Sequence, residues 1–137
     1  MNDPDRILHQ PPAGAAGLRR LWRALGYSFD GLGAAWKHEA AFRQEALLAI
    51  VFVPLGLWLG HTGAERALLA GSVLLVMVIE LLNSGLEAIV DRASPERHEL
   101  AKRAKDTGSA AVLLALAICV MTWMLVLWPD FFGSAPS

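Results

Sequence analysis

Between residues 80 and 91 an apolar stretch is interrupted by Glu80, Asn83, Ser84, Glu87 and Asp91. Steps of three and four residues put all five on one helical face about 100° wide. A carboxylate at membrane depth costs roughly 2.5 to 3.5 kcal/mol on insertion scales. Interhelical hydrogen bonding alone would need a single asparagine. Two glutamates and an asparagine stacked along one face exceed that need and point to chemistry. A carboxylate shielded from water suits a general base acting on a hydroxyl, and Glu80 is the deepest of the set. Glu87, about 10 Å nearer the helix end at helical rise, is better placed to hold a cation.

A second stripe follows. Lys102, Lys105, Asp106 and Ser109 are spaced to share a helical face. Cations and hydroxyls at a membrane mouth fit phosphate binding, and they equally fit long side chains that snorkel to the surface. Glu39 with Arg43 and Gln44 forms a third candidate, for which a plain solvated face is the simpler account. There is no Gly-rich phosphate loop ending in Lys and Ser or Thr, and Gly31-Leu32-Gly33 lacks the third glycine of a dinucleotide fingerprint. His9, His38, His61 and His98 are scattered, and no Cys/His cluster offers a zinc site. Cys119, the single cysteine, lies mid-span and reads as apolar packing. A nucleotide, if used, is bound without the usual soluble folds.

The elements that must position these residues are helices. The 137 residues allow one domain, and 55% are hydrophobic against 18% charged. The apolar excess collects in blocks at 46–61, 67–90 and 107–128, each near the length that crosses a bilayer. The expected fold is an all-α membrane protein with spans at 46–62, 66–91 and 105–129, joined by a loop at 92–104, in a single domain over 18–133. Pro54 is expected to kink the first span. Ahead of it, Leu18, Leu21, Trp22, Leu25, Phe29, Leu32 and Trp36 form one apolar stripe, with Arg19, Arg20, Arg23, Asp30 and Lys37 off it. This predicts a basic amphipathic surface helix over 18–45, weakened at Gly31 and Gly33. Residues 1–17, polar and lacking the apolar core of a signal peptide, are expected to be a flexible tail, as are 134–137. Lys and Arg concentrate before the first span and between the second and third, with only Arg66 on the other side. The positive-inside rule then puts the N-terminus in the cytoplasm and the C-terminus outside. Trp58 and Trp128 mark the outer boundary.

Glu80-Leu81-Leu82-Asn83-Ser84-Gly85-Leu86-Glu87-Ala88-Ile89-Val90-Asp91-Arg92 resembles the signature of the prokaryotic integral-membrane diacylglycerol kinase family. The likeness continues through His98-Glu99-Leu100, Arg103-Ala104-Lys105-Asp106 and Gly108-Ser109-Ala110-Ala111. Upstream, Ala34-Ala35-Trp36 and Glu39-Ala40-Ala41-Phe42-Arg43-Gln44-Glu45 also match, so it covers about 18–133. The resemblance implies a bacterial inner-membrane homotrimer of three-span protomers with a surface helix, transferring the γ-phosphate of ATP to the lipid hydroxyl of diacylglycerol. It implies Glu80 as the base and Glu39 with Glu87 as ligands of Mg2+ on the nucleotide. Arg20, Tyr27, Glu96, Arg97, His98, Lys105 and Asp106 would join Glu39 and Glu87 in binding ATP. The lipid would meet Ala24, Leu25, Gly26, Ser28, Phe29, Gly33, Ala34, Ala35 and Trp36 on the surface helix. Further on it would meet Ala41, Phe42, Arg43, Gln44, Glu45, Arg66, Glu80, Asn83 and Ser109. Lys102 departs from the family pattern and adds a charge beside the nucleotide.

Relatives that phosphorylate undecaprenol share the Glu-Asn-Glu core, so that longer isoprenoid alcohol is the alternative substrate. From another class, the polar face could line a proton or ion path in a small conducting subunit. That reading leaves Glu39 and the Lys105 stripe without a task. Nucleic acid is not an expected partner.

Overall fold

The computed structural model describes residues 13–93 and 99–132. Four helices follow in chain order: α1 Ala13–His38, α2 Ala40–Leu59, α3 Gly63–Ala93 and α4 Glu99–Phe132. No strand occurs among the described residues. Three stretches, Ala40–Leu59, Gly63–Ala93 and Glu99–Trp128, are long and apolar enough to cross a membrane. The all-helical, three-span expectation holds at that level.

The boundaries differ from the expected ones. Ala13 to Gly17, assigned to the tail, form the first turns of α1, while residues 1–12 and 133–137 lie outside the described residues. Gly31 and Gly33 do not interrupt α1, the cost of about 1 kcal/mol for each glycine being borne by a long helix. The helix expected over 18–45 stops instead at His38, and residues 40–45 belong to the first span. Their helix is favoured by an Ala-rich start and by burial of Phe42. Residues 99–104, expected in a loop, open α4, and 94–98 lie outside the described residues. Pro54 lies inside α2, which remains helical through it.

The break at Glu39 is a single extended residue, with φ −106 and ψ 114. A helix end leaves carbonyls without intrahelical donors. Here Glu39 N–H donates to the Ala35 carbonyl at 2.8 Å. Arg43 Nη1 reaches back to the carbonyls of Trp36 at 3.0 Å and Lys37 at 3.4 Å. The arginine closes the end of α1 from within α2.

The chain divides into two compact units, Met1–Ala34 and Ala35–Ser137. In the first, the apolar side chains of α1, from Leu18 to Leu32, are exposed. In the second, α3 packs against both α2 and α4. Without a hydrophobic drive between helices in lipid, such packing depends on close approach and interhelical hydrogen bonds. Gly56 supplies the approach: a Cβ there would stand 2.9 Å from Leu69 Cβ and 3.2 Å from Trp123 Cζ2. Trp123 supplies the bond, its indole N–H donating to the Leu69 carbonyl at 3.1 Å. The same ring meets Phe52 edge-on, with centroids 5.4 Å apart. One side chain of α4 thus holds both other spans.

The α2–α3 hairpin is closed by a capping box, Thr62-Gly63-Ala64-Glu65. Glu65 N–H donates to Thr62 Oγ1 at 3.1 Å, and Glu65 Oε2 accepts from the backbone N–H groups of His61 at 2.7 Å and Thr62 at 3.2 Å. Arg66 Nε donates to the Gly60 carbonyl at 2.8 Å. Gly60 must be glycine for this turn, since a Cβ would stand 2.7 Å from Arg66 N.

Trp123→Phe keeps an aromatic ring beside Phe52 but removes the N–H donor. It should lower the unfolding free energy in mixed micelles by about 1 kcal/mol, read from a denaturing-detergent titration.

Candidate active site

The polar residues gather where the C-terminal half of α3 meets the starts of α2 and α4. Glu80 is buried, 5% exposed, on the α3 face that α2 and α4 cover. Its carboxylate lies within electrostatic reach of Glu39 and Glu87. Glu45, one and a half turns into α2, lies within reach of Glu80. Four glutamates, one at the α1–α2 break, one on α2 and two on α3, therefore converge.

The rest of the set comes from α3 and α4. Asn83 Nδ2 donates to Glu87 Oε1 at 3.2 Å, a one-turn contact along α3. Lys105 Nζ pairs with Asp91 Oδ1 at 2.6 Å across the α3–α4 contact. Glu87 is also within electrostatic reach of Lys105. Glu45 Oε2, Asn83 Oδ1 and Ser84 Oγ are buried without a hydrogen-bond partner. Buried polar atoms are ordinarily paired, so three unpaired ones in a single neighbourhood mark it as a place for a polar ligand. Beside Glu45 a cavity of about 350 Å³ opens, otherwise lined by apolar side chains and Cys119 from all three spans, among them Phe52, Val76, Leu116 and Trp123.

The residues expected from sequence do not all meet. Glu39, Glu45, Glu80, Asn83, Glu87 and Lys105 are brought together. Asp106 and Ser109 follow on α4 with exposed side chains, Ala35 and Phe42 are buried, and Trp36, Ala41 and Gln44 are exposed. Arg43 is committed to the α1 carbonyls. Arg66 stands apart, fourteen residues or about 21 Å up α3 from Glu80 at helical rise, where the hairpin accounts for it. Arg20, Ala24, Leu25, Gly26, Tyr27, Ser28, Phe29, Gly33 and Ala34 are exposed on α1 in the first unit, with Ser28 Oγ donating to the Ala24 carbonyl at 2.9 Å. Glu96, Arg97 and His98 lie outside the described residues.

Two participants escaped the sequence reading. Trp123 looked like one more apolar residue, although an indole N–H in an apolar span needs an acceptor and could have been flagged for that reason. The pairing of Asp91 with Lys105 was hidden because the two were read on separate helical faces.

Comparison with known proteins identifies the family of the chain. The family model described as prokaryotic diacylglycerol kinase matches residues 26–127. A diacylglycerol kinase of Escherichia coli strain K12 is 51% identical over 115 residues, covering 84% of this chain and 94% of its own. One from Pseudomonas aeruginosa is 49% identical over 117 residues, covering 85% and 95%. One from Helicobacter pylori strain 26695 is 44% identical over 112 residues, covering 82% and 88%. A three-span bundle with these relatives is a membrane kinase. The chain belongs to the prokaryotic diacylglycerol kinase family.

The Lys105 and Asp91 side chains are 39% and 65% exposed, so water and salt screen their attraction. Asp91→Asn should therefore lower stability only slightly. Unfolding measured at low and high salt should show that difference shrinking as salt rises.

Proposed function

We propose that the protein transfers the γ-phosphoryl group of ATP to the free hydroxyl of diacylglycerol, giving phosphatidate and ADP. The carrying observation is the buried Glu80 carboxylate among Glu39, Glu45 and Glu87, at the end of an apolar bundle of this family. Glu80 takes the hydroxyl proton as the oxygen attacks the γ-phosphorus in line and ADP departs. Lys105 offsets charge on the phosphates. Arg20, Tyr27, Glu96, Arg97, His98 and Asp106 complete the nucleotide's contacts in this reading.

Among the described residues no group of three or more His, Cys, Asp or Glu could hold a metal alone. Glu39 and Glu87, both within reach of Glu80, nonetheless suit magnesium, which takes one or two carboxylates together with nucleotide phosphates. The chemistry magnesium supplies when bound is neutralisation of phosphate charge. Asn83, by donating to Glu87, aims that carboxylate.

The apolar cavity beside Glu45 supports the lipid half of the reading, since an acyl chain fits a space lined from three spans. The hydroxyl end then lies toward Glu45 and Glu80, framed by residues 41–45, Asn83 and Ser109. The exposed apolar stripe of α1 suits a helix lying in the cytoplasmic interface, with the C-terminus outside the inner membrane. Large apolar side chains exposed along the spans leave surface for lipid and for the partners of a homotrimer.

The purified protein should form phosphatidate from diacylglycerol only when ATP is present, and should prefer diacylglycerol when undecaprenol competes in the same micelles. Glu80→Gln should lower turnover at least about 100-fold while ATP still binds. Undiminished activity would remove Glu80 as the base. Glu87→Ala should raise the magnesium concentration needed for half-maximal activity, and an unchanged titration would exclude it as a ligand.

A further inference from the structure

Gly108, on α4, faces Asn83 so closely that an added Cβ would overlap the Asn83 Oδ1, with Asn83 Cγ at 3.3 Å and Leu86 Cδ2 at 3.8 Å. That oxygen is buried and has no hydrogen-bond partner. The other end of the amide donates to Glu87 Oε1 at 3.2 Å. A carboxylate that binds a cation acts as an acceptor, so the NH2 group faces Glu87 and the oxygen turns the other way. The space it turns into exists because residue 108 carries no side chain.

The three close-packed glycines of the bundle therefore differ in kind. A Cβ on Gly56 or Gly60 would press on backbone nitrogens, Ala70 N at 3.3 Å and Arg66 N at 2.7 Å, and would disturb helix packing or the hairpin. At Gly108 the first obstacle is the end of a side chain, which yields before any helix moves. What yields is the amide that aims Glu87.

We propose that Gly108 is a positioning residue for phosphoryl transfer, leaving the space that fixes the Asn83 amide and through it the Glu87 carboxylate. The proposal rests on the reading of Glu87 as a metal ligand. Groups that orient a metal-ligating side chain commonly carry 10- to 100-fold effects on metal affinity or activity.

The test uses the full-length protein in detergent micelles, with Mn2+ and ADP as the probe and bound Mn2+ counted by electron paramagnetic resonance. Gly108→Ala should weaken Mn2+ binding about 10-fold and raise the magnesium requirement of turnover by a similar factor. In an Asn83→Ala background the same change at 108 should have no further effect, because the atom it displaces is gone. Equal losses in both backgrounds, or Gly108→Ala at wild-type affinity, would overturn the proposal. Asn83→Ala alone must show a comparable loss, and wild-type affinity there overturns it whether or not Gly108→Ala folds. Glu87→Gln separates the two layers. If it leaves Mn2+ binding intact, the metal assignment fails. If it alone weakens binding, the assignment stands and the positioning role falls.

Discussion

Hydrocarbon expels carboxylates, and the structure turns on how Glu80 is kept inside despite that. Its helix, α3, is the main packing partner of both other spans, so the residue is covered by protein rather than by lipid. The covering depends on how near α2 and α4 can come. Gly56 lets α2 close on Leu69, and the Trp123 indole fixes α4 to the Leu69 carbonyl about three turns from Glu80. The polar end of the bundle is thus held by contacts at its apolar end. That division suits a site that must stay open to two reactants, because little of its own bonding is spent on holding helices together.

The polar end itself is sparsely bonded. Asn83 to Glu87 and Lys105 to Asp91 are the side-chain pairs described there, and three buried polar atoms have no partner. Fully satisfied networks rigidify a core, whereas a buried polar atom left unpaired is costly. The cavity beside Glu45 carries the same logic into the apolar region, joining a carboxylate to a space lined by three helices.

Much of this was legible in the sequence, for identifiable reasons. The face of Glu80, Asn83 and Glu87 could be read because helical periodicity is rigid and the surrounding residues are apolar. The spans could be read because charge is so rare within them. The helix boundaries could not, since Glu39 to Glu45 continues the amphipathic pattern and nothing local announces a break. That break depends on Arg43 reaching back to Trp36 and Lys37, a contact at six and seven residues' separation. Arg66 was grouped with lipid-binding residues by family likeness, while its visible bond is to the Gly60 carbonyl of the hairpin. Gly108 carried no signal either, because a glycine's role depends on what stands opposite it.

The order in which the helices follow one another has a consequence for biosynthesis. Each span packs on its neighbours in the chain, so contacts form between successive segments and loop closure is inexpensive. The four glutamates arrive with the first two spans, whereas Lys105 arrives only with the last. For an interval during insertion the nascent hairpin holds its acidic cluster without the lysine that later pairs with Asp91. Release of the final helix into the membrane therefore brings that cation to the polar end of the bundle and lays α4 against α3, so the site's charge balance is completed only with the C-terminal third of the chain.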